Sequence, residues 1–178
     1  MGSRFVKAFI ATAGLSLAAF GAQAQETSEN QVAANTDWSV FVEENGGNRE
    51  CWAVSTAKES VNTKNGNIVA VKRSDILLMV AYVPQKNVSA QIAFTGGYPF
   101  AAGSTVGVDI DGKTFTLFTE GEWGWAGSDS IDGEIVTAMM RGKSAVLSAQ
   151  SSRGTKTKDT FSLLGFTAAV EDAKKRCQ

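Results

Sequence analysis

The most chemically suggestive polar stretch of this chain is Ser151-Ser152-Arg153-Gly154-Thr155. It combines hydroxyls, one guanidinium and a glycine that lets a backbone approach closely, the ingredients for gripping a carboxylate or phosphate. Lys156, Lys158 and Asp159 follow at once. The stretch is not a nucleotide-binding P-loop, which requires Gly-x-x-x-x-Gly-Lys-Ser/Thr. The same residues also suit an internal structural task, with Arg153 pairing a carboxylate inside the domain and the serines satisfying turn backbone. That internal pair is the expectation taken here, because Arg is the preferred partner of a buried acid. Two aromatic segments are further candidates. Trp123 and Trp125 lie two residues apart, so an extended backbone points both to one side, where they can stack a flat ligand or cap the core. Gly96-Gly97-Tyr98-Pro99-Phe100 reads as a turn whose Tyr98 is available for binding or for packing on a sheet edge.

Enzymatic chemistry finds little support. The chain has no histidine, which removes Ser-His-Asp and Cys-His catalysis in their usual forms and the usual zinc sites. Asp109, Asp111, Glu120, Glu122, Asp129 and Asp132 are scattered through the middle without EF-hand spacing. They read as solvated loop charges, although a glycosidase-type pair is spatial and leaves no mark in the sequence. No residue is therefore assigned a catalytic role, and no metal or cofactor is expected.

These segments need a scaffold, and the chain's opening says where it operates. Arg4 and Lys7 precede an apolar run from Ala8 to Phe20, which ends in Ala22-Gln23-Ala24. This is the pattern of a secretory signal peptide over residues 1–24, too short in its apolar part to span a bilayer. Cleavage after Ala24 leaves 154 residues, enough for one domain with a substantial core. Without Arg4 and Lys7, 15 basic and 18 acidic side chains remain, a net charge of −3. That balance gives no electrostatic reason to bind nucleic acid. No later apolar segment is long enough for a transmembrane helix. Cys51 and Cys177 are the only cysteines. In an oxidising compartment they are expected to bond within the chain, the alternatives being two buried thiols or a bond between chains.

Residues 25–36 are polar and aperiodic and read as a flexible lead-in, with order expected from Trp38 and a single domain over 37–178. Strands are expected at Trp38–Val42, Cys51–Ser55, Ile76–Val83, Val88–Thr95, Ala145–Ala149 and Thr160–Leu164. The continuous apolar run at 76–83 suggests burial on both faces. Asp111-Gly112 predicts a type I′ hairpin pairing Ile110 with Lys113, Val108 with Phe115 and Val106 with Leu117. Asp132 is expected to cap a short helix over 133–141, with Gly142 in the C′ position, a strand through the same residues being the alternative. Phe166, Ala169, Val170, Ala173 and Cys177 form the stripe of a closing helix, with Lys174, Lys175 and Arg176 in its last turns. Many short strands and one closing helix predict a mainly β, two-sheet sandwich.

Taken in order, Trp38, Cys51-Trp52-Ala53-Val54-Ser55, Gly97-Tyr98-Pro99-Phe100, Phe115-Thr116-Leu117-Phe118, Trp125-Ala126 and Ala138-Met139 resemble the invasion-associated locus B family of exported bacterial proteins. The similarity continues through Ser151-Ser152-Arg153-Gly154-Thr155, Asp159-Thr160-Phe161-Ser162-Leu163, Gly165-Phe166 and Cys177. It implies an immunoglobulin-like β-sandwich, residence in the periplasm or outer envelope or secretion, and a part in host-cell invasion in pathogenic relatives. It carries over no catalytic residues. The functional expectation is a non-enzymatic envelope binding or accessory protein, whose partner is an envelope protein or small ligand. Its candidate binding residues are Ser151, Ser152, Arg153, Thr155, Trp123, Trp125 and Tyr98. The alternative is a hydrolase or lyase acting on envelope polymers through paired carboxylates.

Overall fold

A computed structural model describes residues 30–178. The signal peptide expected over residues 1–24 lies outside the described residues. Twelve strands form one antiparallel ladder: β1 (Gln31–Asn35), β2 (Trp38–Asn45), β3 (Asn48–Thr56), β4 (Glu59–Lys64), β5 (Asn67–Ile68), β6 (Leu77–Val83), β7 (Val88–Thr95), β8 (Thr105–Ile110), β9 (Lys113–Glu120), β10 (Trp123–Trp125), β11 (Ser144–Gln150) and β12 (Lys156–Ser162). Two helices complete the fold, α1 (Asp129–Arg141) and α2 (Phe166–Arg176). The strand order is β1-β2-β3-β6-β7-β10-β9-β8-β11-β12-β4-β5.

The ladder folds over on itself. Strands far apart in that order meet through their inner side chains: Phe94 on β7 packs edge-on against Phe161 on β12, ring centroids 6.1 Å apart. The Trp38 indole on β2 donates to the Ser162 carbonyl on β12 at 2.9 Å. The arrangement is consistent with the expected sandwich, with the difference that both layers belong to one continuous ladder. Apolar side chains at alternate positions, such as Val106, Val108 and Ile110, fill the space between the layers.

The hairpin matches its expected register pair for pair. Asp111 (φ 48°) and Gly112 (φ 94°) supply the left-handed backbone that a type I′ turn needs. The terminal helix forms as its stripe demands, burying Phe166, Ala169, Val170 and Ala173. It packs on β2 and β3, and Cys51 and Cys177 are bonded within the chain, 126 residues apart in sequence, with Cα atoms 5.9 Å apart.

Several expectations are corrected. Order begins before Trp38: residues 31–35 of the supposed lead-in form β1, because Asn35 and Trp38 flank a two-residue turn and Ala33 pairs with Val40. Strand β6 buries only Leu78, Val80, Tyr82 and Val83, while Leu77, Met79 and Ala81 are half-covered. Helix α1 starts four residues earlier than expected, capped by Ser128, whose hydroxyl accepts the Ile131 amide. Asp132 sits within the helix, buried, and accepts the Ile92 amide of β7 at 2.7 Å. Burial pushes its carboxyl above the usual carboxylate value, partly opposed by that hydrogen bond. Gly142 is the C-cap residue with φ −85°, not a left-handed C′ position.

Candidate functional site

At one end of the sandwich, four connections are stitched together by backbone hydrogen bonds. Phe100 forms an isolated bridge with Ser151, and its amide donates to the Gly121 carbonyl at 2.9 Å. The Ser152 amide donates to Pro99, and the Ala101 amide to Gln150. The stretch between β5 and β6 is fastened to the same turn by the Ser74 amide, which donates to Gly97 at 3.1 Å. Gly97 is required there. Its φ is +72°, and a β-carbon would stand 2.5 Å from the Ser74 carbonyl oxygen.

The four connections enclose a cavity of about 550 Å³. Tyr98, Ser151, Ser152, Arg153 and Thr155 all line it, so five of the seven candidate residues meet in space. The loop after β11 holds its own shape. The Ser151 hydroxyl accepts the Thr155 amide at 3.1 Å, and the Gly154 amide donates to the Ser151 carbonyl at 2.8 Å. Ser151 and Thr155 are thereby buried, while Ser152 and Arg153 are exposed at the tip. The Tyr98 hydroxyl shares a 2.5 Å hydrogen bond with Thr157. Burial pushes its phenol above the ordinary value, so it stays protonated at neutral pH.

The internal ion pair exists, but Arg153 is not its cation. Asp159 is 0% exposed and is held by Arg73, itself 6% exposed. The two guanidinium NH groups reach the two carboxylate oxygens at 2.8 and 2.6 Å. Arg73 also donates to the Gly96 carbonyl at 2.7 Å and to Asn62 at 3.1 Å, and Ser60 donates to Asp159 at 2.7 Å. Its guanidinium lies 5.0 Å from the Tyr98 ring centre. Four of the five guanidinium N–H groups and both carboxylate oxygens are engaged, so the pair acts as a pillar beneath the cavity. Arg153 makes no ion pair among the described residues.

Trp123 and Trp125 point to one side of β10, as their spacing requires, with ring centroids 5.8 Å apart and planes at 31°. They are half-buried and do not line the cavity. Trp125 stands opposite the exposed Phe118 of β9. Several of the acids are structural. Asp109 accepts the Gly112 amide in the hairpin turn. Asp111 accepts the Lys143 amide, and this bond holds its carboxyl below the usual value. Glu122 alone among the scattered acids lines the cavity. Among the described residues, no group of three His, Cys, Asp or Glu side chains is placed to hold a metal ion.

Sequence reasoning missed Arg73, Lys72 and Thr157. One signal was present: Thr157, Asp159 and Phe161 alternate, so a strand begun at 156 puts Asp159 on the core face beside Phe161, where a carboxylate demands a cation. Starting that strand at Thr160 hid it.

The class defined by this geometry is an antiparallel β-sandwich with a disulfide-pinned terminal helix and a polar cavity built from loops at one end. A family model for the invasion associated locus B (IalB) protein matches residues 38–174, and the chain belongs to that family. In fold it is similar to the crystal structure of invasion associated protein B from Bartonella henselae, with a TM-score of 0.54 at 14% identity, covering 81% of this chain and 95% of that one. Against curated protein sequences the chain has no significant match. No helix among the described residues is long and apolar enough to cross a membrane.

Proposed function

We propose that this protein is an exported, non-enzymatic accessory protein of the cell envelope that recognises a ligand in the cavity between residues 71–74, 97–99 and 151–155. The observation that carries this reading is the convergence of Tyr98, Ser151, Ser152, Arg153 and Thr155 on one cavity over a pillar whose charges are already satisfied. Rigid walls with a few unspent polar groups are what a binding site needs. The size is that of a small-molecule site.

The chemistry of the walls favours binding over turnover. Ser151 spends its hydroxyl oxygen on the Thr155 amide, and the cavity offers it no histidine base. Of the two acids nearby, Asp159 is buried in its ion pair and only Glu122 faces the cavity, so the two-carboxylate arrangement of a glycosidase has no counterpart here. Export is supported by the leader pattern of residues 1–24 and by the Cys51–Cys177 bond, which suits an oxidising compartment. The family name links relatives to invasion, and an envelope role in ligand capture is the form in which that phenotype reaches this chain.

The test is a cavity-blocking allele. Ser152 is exposed, so Ser152→Trp can obstruct the cavity without disturbing the core. In a strain lacking the gene, this allele should accumulate to the parent level in the periplasm yet fail to correct the deletion's envelope defect. Full complementation by an accumulating Ser152→Trp protein would overturn the reading.

A further inference from the structure

The geometry points to an anionic ligand: the cavity takes a small molecule bearing a carboxylate or phosphate, gripped by Arg153 and Lys72. This rests on the cavity being the recognition site and adds the ligand's charge. Three cations line the cavity, but Arg73 is neutralised by Asp159 beneath it. Lys72 and Arg153 are exposed and make no ion pair among the described residues. Among the described residues, the one acid on the lining is Glu122, which makes no ion pair. The open charge is therefore two cations against one anion, in a mature chain whose overall charge is −3. A local excess of positive charge on an acidic protein is a departure from its background, and it sits in the cavity lined by Ser151, Ser152, Arg153 and Thr155 of the candidate loop.

The neutral groups point the same way. Ser151 accepts a backbone amide, which leaves its proton available to donate. The Tyr98–Thr157 pair holds two hydroxyl protons and uses one between them, so the second is available too. Ser152, an exposed residue, lines the same cavity. Arg153 offers a planar fork suited to two oxygens of one oxyanion, and Lys72 offers a movable point charge. Arg73 holds the 71–74 wall in place through Gly96 and Asp159, so both unspent cations are carried on anchored segments.

The experiment is an amide and Arg side-chain NMR titration of exported, disulfide-intact protein at fixed ionic strength. Inorganic phosphate and acetate are the two probes, which separate phosphate from carboxylate preference, and acetamide is the neutral control. At least one anion should give saturable shifts at Gly97, Ser152 and Arg153 that acetamide does not. Arg153→Gln should weaken that binding by about tenfold or more. Glu122→Gln should tighten it by removing repulsion, and Lys158→Gln, on the outer face of β12 away from this cavity, should leave it unchanged. Shifts that spread equally over Lys156 and Lys158, or that survive Arg153→Gln, would overturn the inference. Saturable binding of acetamide but of neither anion would overturn the anionic assignment while leaving the cavity as the recognition site. Silence with all three probes, together with full complementation by Ser152→Trp, would remove both.

Discussion

Arg73→Ala is the sharpest perturbation of this architecture. The side chain makes four hydrogen bonds, two of them to Asp159, one to Gly96 and one to Asn62. Its removal leaves a carboxylate at 0% exposure with only the Ser60 hydroxyl as donor. Breaking one partner of a buried pair destabilises by about 3–5 kcal/mol, because the remaining charge has no solvent and no counterion. Loss of the tie to Gly96 adds to this by releasing the 71–74 wall from the 96–97 turn. A total of about 4 kcal/mol is expected, a large share of the 5–15 kcal/mol typical of a domain. Arg73→Lys keeps the charge but cannot span both carboxylate oxygens, Gly96 and Asn62 together, so about 2 kcal/mol is expected. Urea unfolding of the disulfide-intact protein measures these values, provided the m-value is unchanged. Should Arg73→Ala prove too unstable to purify, Arg73→Lys and Asp159→Asn still report the interaction. The double variant Arg73→Ala/Asp159→Asn should be more stable than the sum of the single changes by about 1–3 kcal/mol, since Asn removes the stranded charge. An Arg73→Ala curve that overlays the parent, or strict additivity in the cycle, would refute the pillar argument.

Arg153→Ala should change stability by no more than about 0.5 kcal/mol in the same urea assay, because its side chain is exposed and makes no ion pair among the described residues. Replacing Cys51 or Cys177 by Ser should lower stability by about 2–5 kcal/mol, and thiol labelling of the native parent should find no free cysteine. Asp132 has a raised carboxyl value, so its ionisation opposes folding: stability should fall as pH climbs from the ordinary 3.8 through the raised folded value. Asp132→Asn keeps an acceptor for the Ile92 amide and lacks that ionisation. The stability difference in favour of Asn should therefore grow across the same pH interval, and unfolding curves that stay parallel at every pH would contradict it.

What the sequence made legible was what local rules govern. Asp111-Gly112 carries its own turn geometry, so the hairpin register follows from two residues and an alternating pattern. The stripe from Phe166 to Cys177 announces a helix against an apolar wall. The Ser151–Thr155 loop and Tyr98 stood out by composition, and both line the cavity. The rest depends on contacts distant in sequence. Arg73 and Asp159 are 86 residues apart, and the stretch that carries Arg73 has neither helical nor strand periodicity. With Arg73 unseen, Arg153 was the obvious cation for an internal pair. Strand β1 escaped because it is an edge strand whose pairing to β2 compensates for weak local preference. Asp132 resembled a cap by type and position, but Ser128 takes that role and the Ile92 amide claims the carboxylate.

The central claim is that the cavity beside Arg153 is where this protein meets its ligand. A high-resolution crystal structure of the disulfide-intact protein, purified from its native cells without exchange into phosphate or carboxylate buffers, tests it most directly. The account predicts density for a bound molecule between residues 71–74, 97–99 and 151–155, with an oxyanion within hydrogen-bond distance of the Arg153 guanidinium. A co-purified ligand seated on Trp123 and Trp125 with the cavity holding only water would contradict it.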